Sequence, residues 1–266
     1  MARSNASVVR ARDGGAASIV DDLNRLGEVG GLVVATPIAT HAPVVGQALE
    51  IGVPVFVEKP LCDDSDDATR LARSASARLF VMDKWRYHPG VLAITAIARE
   101  GTLGRVRGLR TVRVQPDNPH AEDAVWVLAP HDLAIFLEVF GELPQPRAAV
   151  GTWEGERLVT MHGVLEGIDA WHVMEVSERA PRAERRIELH ADDGVAVLED
   201  GWDEYITVYR GEGAERIPAP GELPLLAELR AFVAHLSGGP PPRSSAAEGA
   251  AAVATIASLR ELACLT

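Results

Sequence analysis

Three short apolar runs in the first third of the chain each stop abruptly in residues able to do chemistry. Leu32-Val33-Val34-Ala35 gives way to Thr36-Pro37, with Thr40 and His41 close behind. Val53 to Val57 ends in Glu58-Lys59-Pro60, and Arg78 to Met82 ends in Asp83-Lys84-Trp85-Arg86-Tyr87-His88-Pro89. Hydroxyls, imidazoles, cations and an indole gathered where strands end suit a binding crevice, because open α/β sheets take ligands outside their carboxyl ends. Lys59 before Pro60 reads as a turn lysine or as a site residue, and its place after a buried run favours the site. His120, Glu122 and Asp123 raise the question of a metal, but no second ligand cluster accompanies them, so a polar loop is the better reading. The acids Asp63 to Asp67 open a helix, where negative charge opposes the positive end of the helix dipole; no metal site is needed to explain them.

The elements that must carry these residues follow from spacing. The stretch Gly31 to Leu61 is strand, helix (His41 to about Ile51, closed by Gly52) and strand, a parallel βαβ unit. Before it, residues 1–15 read as loosely ordered or as a short strand, and Ser18 with Asp21 predicts the start of a helix carrying Ile19, Leu23 and Leu26. After it come a helix with Leu71 and Ala75, the strand ending at Met82, and a helix from Gly90 to about Arg99. From Arg105 the texture changes to alternation, with a helix over Val125 to Phe140 stopped by Gly141 and then a meander of strands from Arg147 to Arg210. Two helices, Leu223–Leu236 and Ala247–Leu262, finish the chain, the second opened by a Ser245/Glu248 capping box. The fold class expected is α/β: an incomplete Rossmann-like parallel sheet (residues 1–104), then an α+β domain with a mostly antiparallel open sheet (residues 105–266). The last helices are free to pack back on the first domain.

Composition bounds the function. A formal charge of -12 over 266 residues argues against nucleic acid and against an anionic membrane surface, both of which need a basic face. No run of apolar residues is long enough for a transmembrane helix. Two cysteines, Cys62 and Cys264, fit a reducing cytoplasm rather than a disulfide framework.

Ala35-Thr36-Pro37 with Thr40-His41, followed by Glu58-Lys59-Pro60, resembles the glucose–fructose oxidoreductase / inositol dehydrogenase (Gfo/Idh/MocA) family. Trp126 to Leu133, centred on Pro130-His131-Asp132, is similar to that family's substrate-domain helix. Pro224-Leu225, Glu228-Leu229, Phe232 and then Pro242-Arg243, Glu248-Gly249 match its closing segment. The resemblance implies hydride transfer between NAD or NADP and a hydroxyl-bearing carbon of a polyol or sugar-like substrate. It implies Lys59 beside the nicotinamide and the reacting hydroxyl, and His131 as the acid/base. Imidazole titrates near neutral pH and an ammonium stabilises a developing alkoxide, so the types suit those roles. Thr36, Pro37, Thr40, His41 and Glu58 would line the ribose and nicotinamide, with Trp85, Arg86 and His88 at the cofactor–substrate junction. A homo-oligomer through the C-terminal sheet is implied, or assembly with a complete homologue.

Two departures accompany the resemblance. The G-x-G-x-x-G turn that lets a pyrophosphate approach a helix N-terminus does not occur in these residues, which predicts weak or lost cofactor binding by this chain. Val127 stands where several members carry an acid one turn before the histidine, and Asp123 or Asp132 are the substitutes at hand. The leading function is therefore an NAD(P)-dependent oxidoreductase. The alternatives are a cofactor-less binding or structural subunit and, more weakly, a cofactor-independent lyase or isomerase.

Overall fold

The computed structural model describes residues 5–75, 77–116 and 122–264. Helix α1 (Asn5–Asp13) forms where the sequence predicts a short strand or loose chain; Arg10 and Arg12 in its last turn complement the helix dipole. The helix predicted from Ser18 is absent, and only a 3-10 turn, Leu23–Arg25, appears. Its reason is local: the Asp22 carboxylate accepts from Asn24 N at 2.9 Å, a turn-forming bond that competes with helix. Neither Leu23 nor Leu26 reaches a core that would reverse that choice.

The βαβ unit is present as β1 (Leu32–Val34), α2 (His41–Glu50) and β2 (Val55–Glu58). After α3 (Ser65–Ala75), β3 (Leu79–Met82) completes a parallel sheet of order β1-β2-β3. The acidic run caps α3, as its bland reading expects: Asp64 accepts from Asp66 N and Asp67 N at 2.9 and 2.8 Å. Every β2 and β3 residue is buried except Glu58, so these strands read as continuous apolar runs, as both-face burial demands.

A 3-10 turn over Lys84–Tyr87 and helix α4 (Pro89–Glu100) lead into β4 (Val106–Val114). Helix α5 (Ala124–Phe140) follows, ending at Gly141 with φ +77. Then come β5 (Gln145–Glu154), β6 (Arg157–Glu166), β7 (Trp171–Ser177), β8 (Glu184–Ala191), β9 (Gly194–Leu198) and β10 (Tyr205–Arg210). A strand the sequence reading omits, β11 (Gly213–Pro218), pairs with β10. The large sheet runs β11-β10-β9-β8-β4-β7-β6-β5. Its pairs are antiparallel except β4 with β7, so it is the mostly antiparallel sheet expected.

Helices α4 and α5, with α7 (Ala246–Cys264), cover one face of this sheet. Leu109, Leu133, Ile135, Phe136, Leu158, Met161 and Leu189 are fully buried there. On the other face Val150, Val164 and Val173 are exposed, and Val164 pairs with Val173 in register.

The last two helices turn back to the small sheet. Phe232 of α6 (Pro224–Leu236) stacks on Phe56 of β2 at 4.8 Å. Helix α7 begins on the reciprocal Ser245/Glu248 capping box that the sequence predicts, with bonds of 2.7 and 3.2 Å. It lies so close to β3 that a Cβ on Gly249 would sit 2.5 Å from Val81 Cγ2; only glycine permits that approach.

Candidate active site

The carboxyl ends of β1, β2 and β3 converge on a cavity of about 600 Å³, closed on its far side by α5 and α6. His41, fully buried, clamps two of these ends together. Its Nε2 lies 2.8 Å from Thr36 O and its Nδ1 2.8 Å from Pro60 O. The Thr36 and Thr40 hydroxyls lie 2.9 Å apart, and Thr40 Oγ1 donates to Pro37 O at 2.7 Å. The loop after β1 is thus fixed before any ligand arrives.

Lys59, directly after β2, points across this cavity and donates from Nζ to Val127 O of α5 at 2.6 Å. Burial pushes its ammonium down from 10.5 to about 8, with Arg113 and Lys84 adding to the push and Glu58 opposing it. On α6, Glu228 is 1% exposed and its Oε2 has no hydrogen-bond partner among the described residues. Burial, followed by the nearby Asp83 and Glu58 carboxylates, pushes Glu228 up to about 9, so it lines the cavity as a neutral acid. Burial likewise raises Asp83 to about 6, against a hydroxyl bond from Ser244.

A second cavity, of about 360 Å³, adjoins the first. It lies between the Lys84–Tyr87 turn, β4, β8 and the loops around Gly201 and Gly221. Lys84, Gln115, Leu128 and His131 line both cavities. His131 therefore stands at their junction, on the helix that Lys59 reaches. Its Nδ1 is buried without a hydrogen-bond partner among the described residues, and its pKa is pushed well below the ordinary value by burial and by the Lys59, Arg113, Lys84 and Arg185 charges. A neutral imidazole is what this junction offers at neutral pH.

The residues singled out in the sequence are distributed as follows. Thr36, Pro37, His41, Glu58, Lys59 and His131 line the first cavity. Thr40 stands one step behind it, holding Thr36 and Pro37. Trp85 lines the second cavity instead; His88 stacks on its ring at 4.8 Å and the Arg113 guanidinium lies 4.2 Å from its centroid. Arg86 lines neither. It is buried, donating to Glu138 at 3.0 Å, to Arg243 O at 2.6 Å and to Glu248 at 3.2 Å, so its fork is consumed in framing the cleft.

The acids suggested as partners for His131 are engaged elsewhere. Asp132 is held by two nitrogens of Arg113 at 2.9 and 3.1 Å. Asp123 accepts from Leu158 N and from Arg260. His120 lies outside the described residues, and among the described residues no group of three potential metal ligands occurs.

Lys84, Arg113, Gln115, Arg185 and Glu228 are lining residues to which the sequence reading assigns no role, Lys84 and Glu228 being named there only within longer stretches. A signal existed for three of them. Arg113 and Arg185 fall on the core-facing parity of their strands, with Leu109 and with Ile187 and Leu189. Glu228 lies four residues before Phe232 on the buried stripe of α6. Charges on apolar faces are informative because burial without function is costly.

Comparison with known proteins gives a family match over part of the chain. Residues 2–82 match the model of an oxidoreductase family with an NAD-binding Rossmann fold, GFO_IDH_MocA. UDP-N-acetylglucosamine 3-dehydrogenase of Acidithiobacillus ferrooxidans is 31% identical over 131 residues, 47% of this chain and 41% of that protein. Inositol 2-dehydrogenase of Rhizobium meliloti is 21% identical over 220 residues, 75% of this chain and 66% of that protein. The match thus spans less than half the length of the first of these relatives. Among solved structures, a 3-ketoreductase from Actinomadura kijaniata, in complex with TDP-benzene and NADP, superimposes with a TM-score of 0.86. It is 19% identical, with 97% of this chain and 86% of that chain covered. At that identity the likeness establishes the fold.

Proposed function

We propose that the chain is an NAD(P)-dependent oxidoreductase of the glucose–fructose oxidoreductase / inositol dehydrogenase family, a reading supported by the match of residues 2–82 and by the likeness to dehydrogenases. It would move a hydride to or from a hydroxyl-bearing carbon of a sugar, cyclitol or similar small molecule. The observation that carries this reading is the meeting of two cavities at His131, one built from strand carboxyl ends and reached by Lys59. The first cavity fits the nicotinamide end of a dinucleotide. Thr36, Pro37, His41 and Glu58 line it, and the neutral, unpartnered Glu228 carboxyl offers a hydrogen bond to a polar ligand group. Bound there, the nicotinamide would supply or accept the hydride.

The chain's own residues manage the proton. His131, held neutral, receives the hydroxyl proton as the substrate is oxidised and returns it in the reverse direction. The Lys59 ammonium stabilises negative charge on the reacting oxygen, and its pKa of about 8 keeps a proton available there.

Without a G-x-G-x-x-G turn to cradle a pyrophosphate, this chain should bind NAD(H) or NADP(H) weakly. Titration calorimetry giving micromolar affinity would overturn that expectation. The uncovered face of the large sheet, with Val150, Val164 and Val173 exposed, is the surface through which we place a homo-oligomer. The function itself is tested by cofactor reduction with a panel of aldoses and cyclitols at saturating cofactor. Turnover should fall about a hundredfold or more in Lys59→Ala and in His131→Ala. Near-normal turnover in either variant would remove that residue from the mechanism.

A further inference from the structure

The second cavity is lined by an arginine that pairs with no acid among the described residues. In the β4–β8 pairing, Arg113 lies directly opposite Arg185, so both side chains leave the sheet on the same face. That face is the covered one: Ile187 and Leu189, two and four residues along β8 from Arg185, are 1% and 0% exposed. Like charges directly opposed on a sheet destabilise it. The cost is relieved on one side only, where Asp132 takes Arg113 through two nitrogens.

Arg185 forms no ion pair among the described residues, although its neighbours in the sheet do. Arg186 pairs with Glu188 and Glu199, and Arg110 pairs with Glu188. Half-buried, Arg185 lines the cavity together with Lys84, which also has no acid partner among the described residues. On the opposite wall Glu222 is paired with Arg230, whereas Asp203, which accepts from Asp200 N, and Glu204 form no ion pair among the described residues, and none of the three comes within ion-pair distance of Arg185.

We propose that this cavity recognises an anionic group, a carboxylate or a phosphate, carried by the sugar-like substrate, with Arg185 as its principal contact and Lys84 as the second cation. The inference rests on the oxidoreductase reading for the assignment of this cavity to substrate. The guanidinium is suited to the task because its planar fork matches the paired oxygens of a carboxylate or phosphate. An arginine placed against another arginine, with no acid of its own, breaks a local rule of sheet design, and such violations concentrate at functional sites.

Calorimetric titration of the full chain with D-glucuronate, D-glucose 6-phosphate and D-glucose tests this. At least one anionic sugar should bind about tenfold to a hundredfold more tightly than glucose, as a charge-assisted contact predicts. The glucuronate and phosphate arms distinguish the two sources of charge. Arg185→Gln should bring the ratio to within about twofold, Arg185→Lys should restore part of it, and Arg182→Gln, on an exposed residue outside the cavity, should leave it intact. Glucose binding as tightly as both anions, or no binding of any of the three, overturns the proposal without recourse to a variant. So does a ratio that survives Arg185→Gln, or one lost equally in Arg182→Gln. Cofactor reduction is read separately. Turnover without anion preference refutes this inference and spares the oxidoreductase reading; an Arg185-dependent preference without turnover does the reverse.

Discussion

At the scale of single residues, Lys59 and Glu228 are held in protonation states that cost the fold. Lowering a lysine from 10.5 to about 8 corresponds to about 3 kcal/mol of destabilisation at neutral pH. Losing the bond to Val127 O returns about 1 kcal/mol. Lys59→Met is therefore expected to stabilise the protein by about 2 kcal/mol while turnover falls about a hundredfold. Denaturant titration and steady-state kinetics on one preparation check the pair of effects. The unfolded lysine keeps its proton to higher pH than the folded one, so this contribution makes wild-type stability rise between about pH 8 and 10.5. Glu228 has the opposite sign. Folded, it keeps its proton to about 9 rather than 4.5, so its contribution to stability declines as pH rises through that window. Glu228→Gln should be nearly neutral at pH 4 and stabilising by roughly 3 kcal/mol at pH 8. Equal melting shifts at both pH values would show that Glu228 is ionised in the fold.

At the scale of elements, the cleft is framed by a buried ion network rather than by its lining residues. Glu138 of α5, 2% exposed, accepts from Arg86 at 3.0 Å and from Arg243 at 2.6 Å. It ties the turn after β3 to the segment that starts α7. Replacing one member strands the others, so Glu138→Gln should cost about 3 kcal/mol, measured by urea unfolding. A loss below about 1 kcal/mol would show that the arginines find other acids. Much at this scale was legible in the sequence. The apolar runs of β2 and β3, the Ser245/Glu248 capping box and the glycine stop of α5 each rest on neighbours in the chain. The failures have equally local causes. The helix predicted from Ser18 had a cap and an apolar stripe but nothing to pack against, and most helical stability comes from packing. Arg86 looked like a cofactor ligand because nothing in its own segment shows that Glu138 awaits it.

At the scale of the molecule, the last two helices make the two sheets one structure. Val253 of α7 belongs to the core of the small sheet, while Ile256 and Leu259 belong to that of the large one. Phe232 of α6 packs among Phe56, Phe80 and Met82. Thermal unfolding followed by near-UV dichroism, far-UV dichroism and calorimetry should therefore give one coincident transition. Two separated transitions would mean that the helices bind only one sheet. The sequence by itself determined the βαβ unit, the mostly antiparallel character of the second sheet and the family resemblance, because periodicity and short motifs are written along the chain. The tertiary structure alone decided that His131 has no carboxylate partner among the described residues, that Arg86 is engaged by Glu138, and that Arg113 and Arg185 lie side by side on the wall of one cavity. Those are pairings between residues far apart in sequence, and register and burial, which no local pattern carries, select among the partners that charge and shape allow.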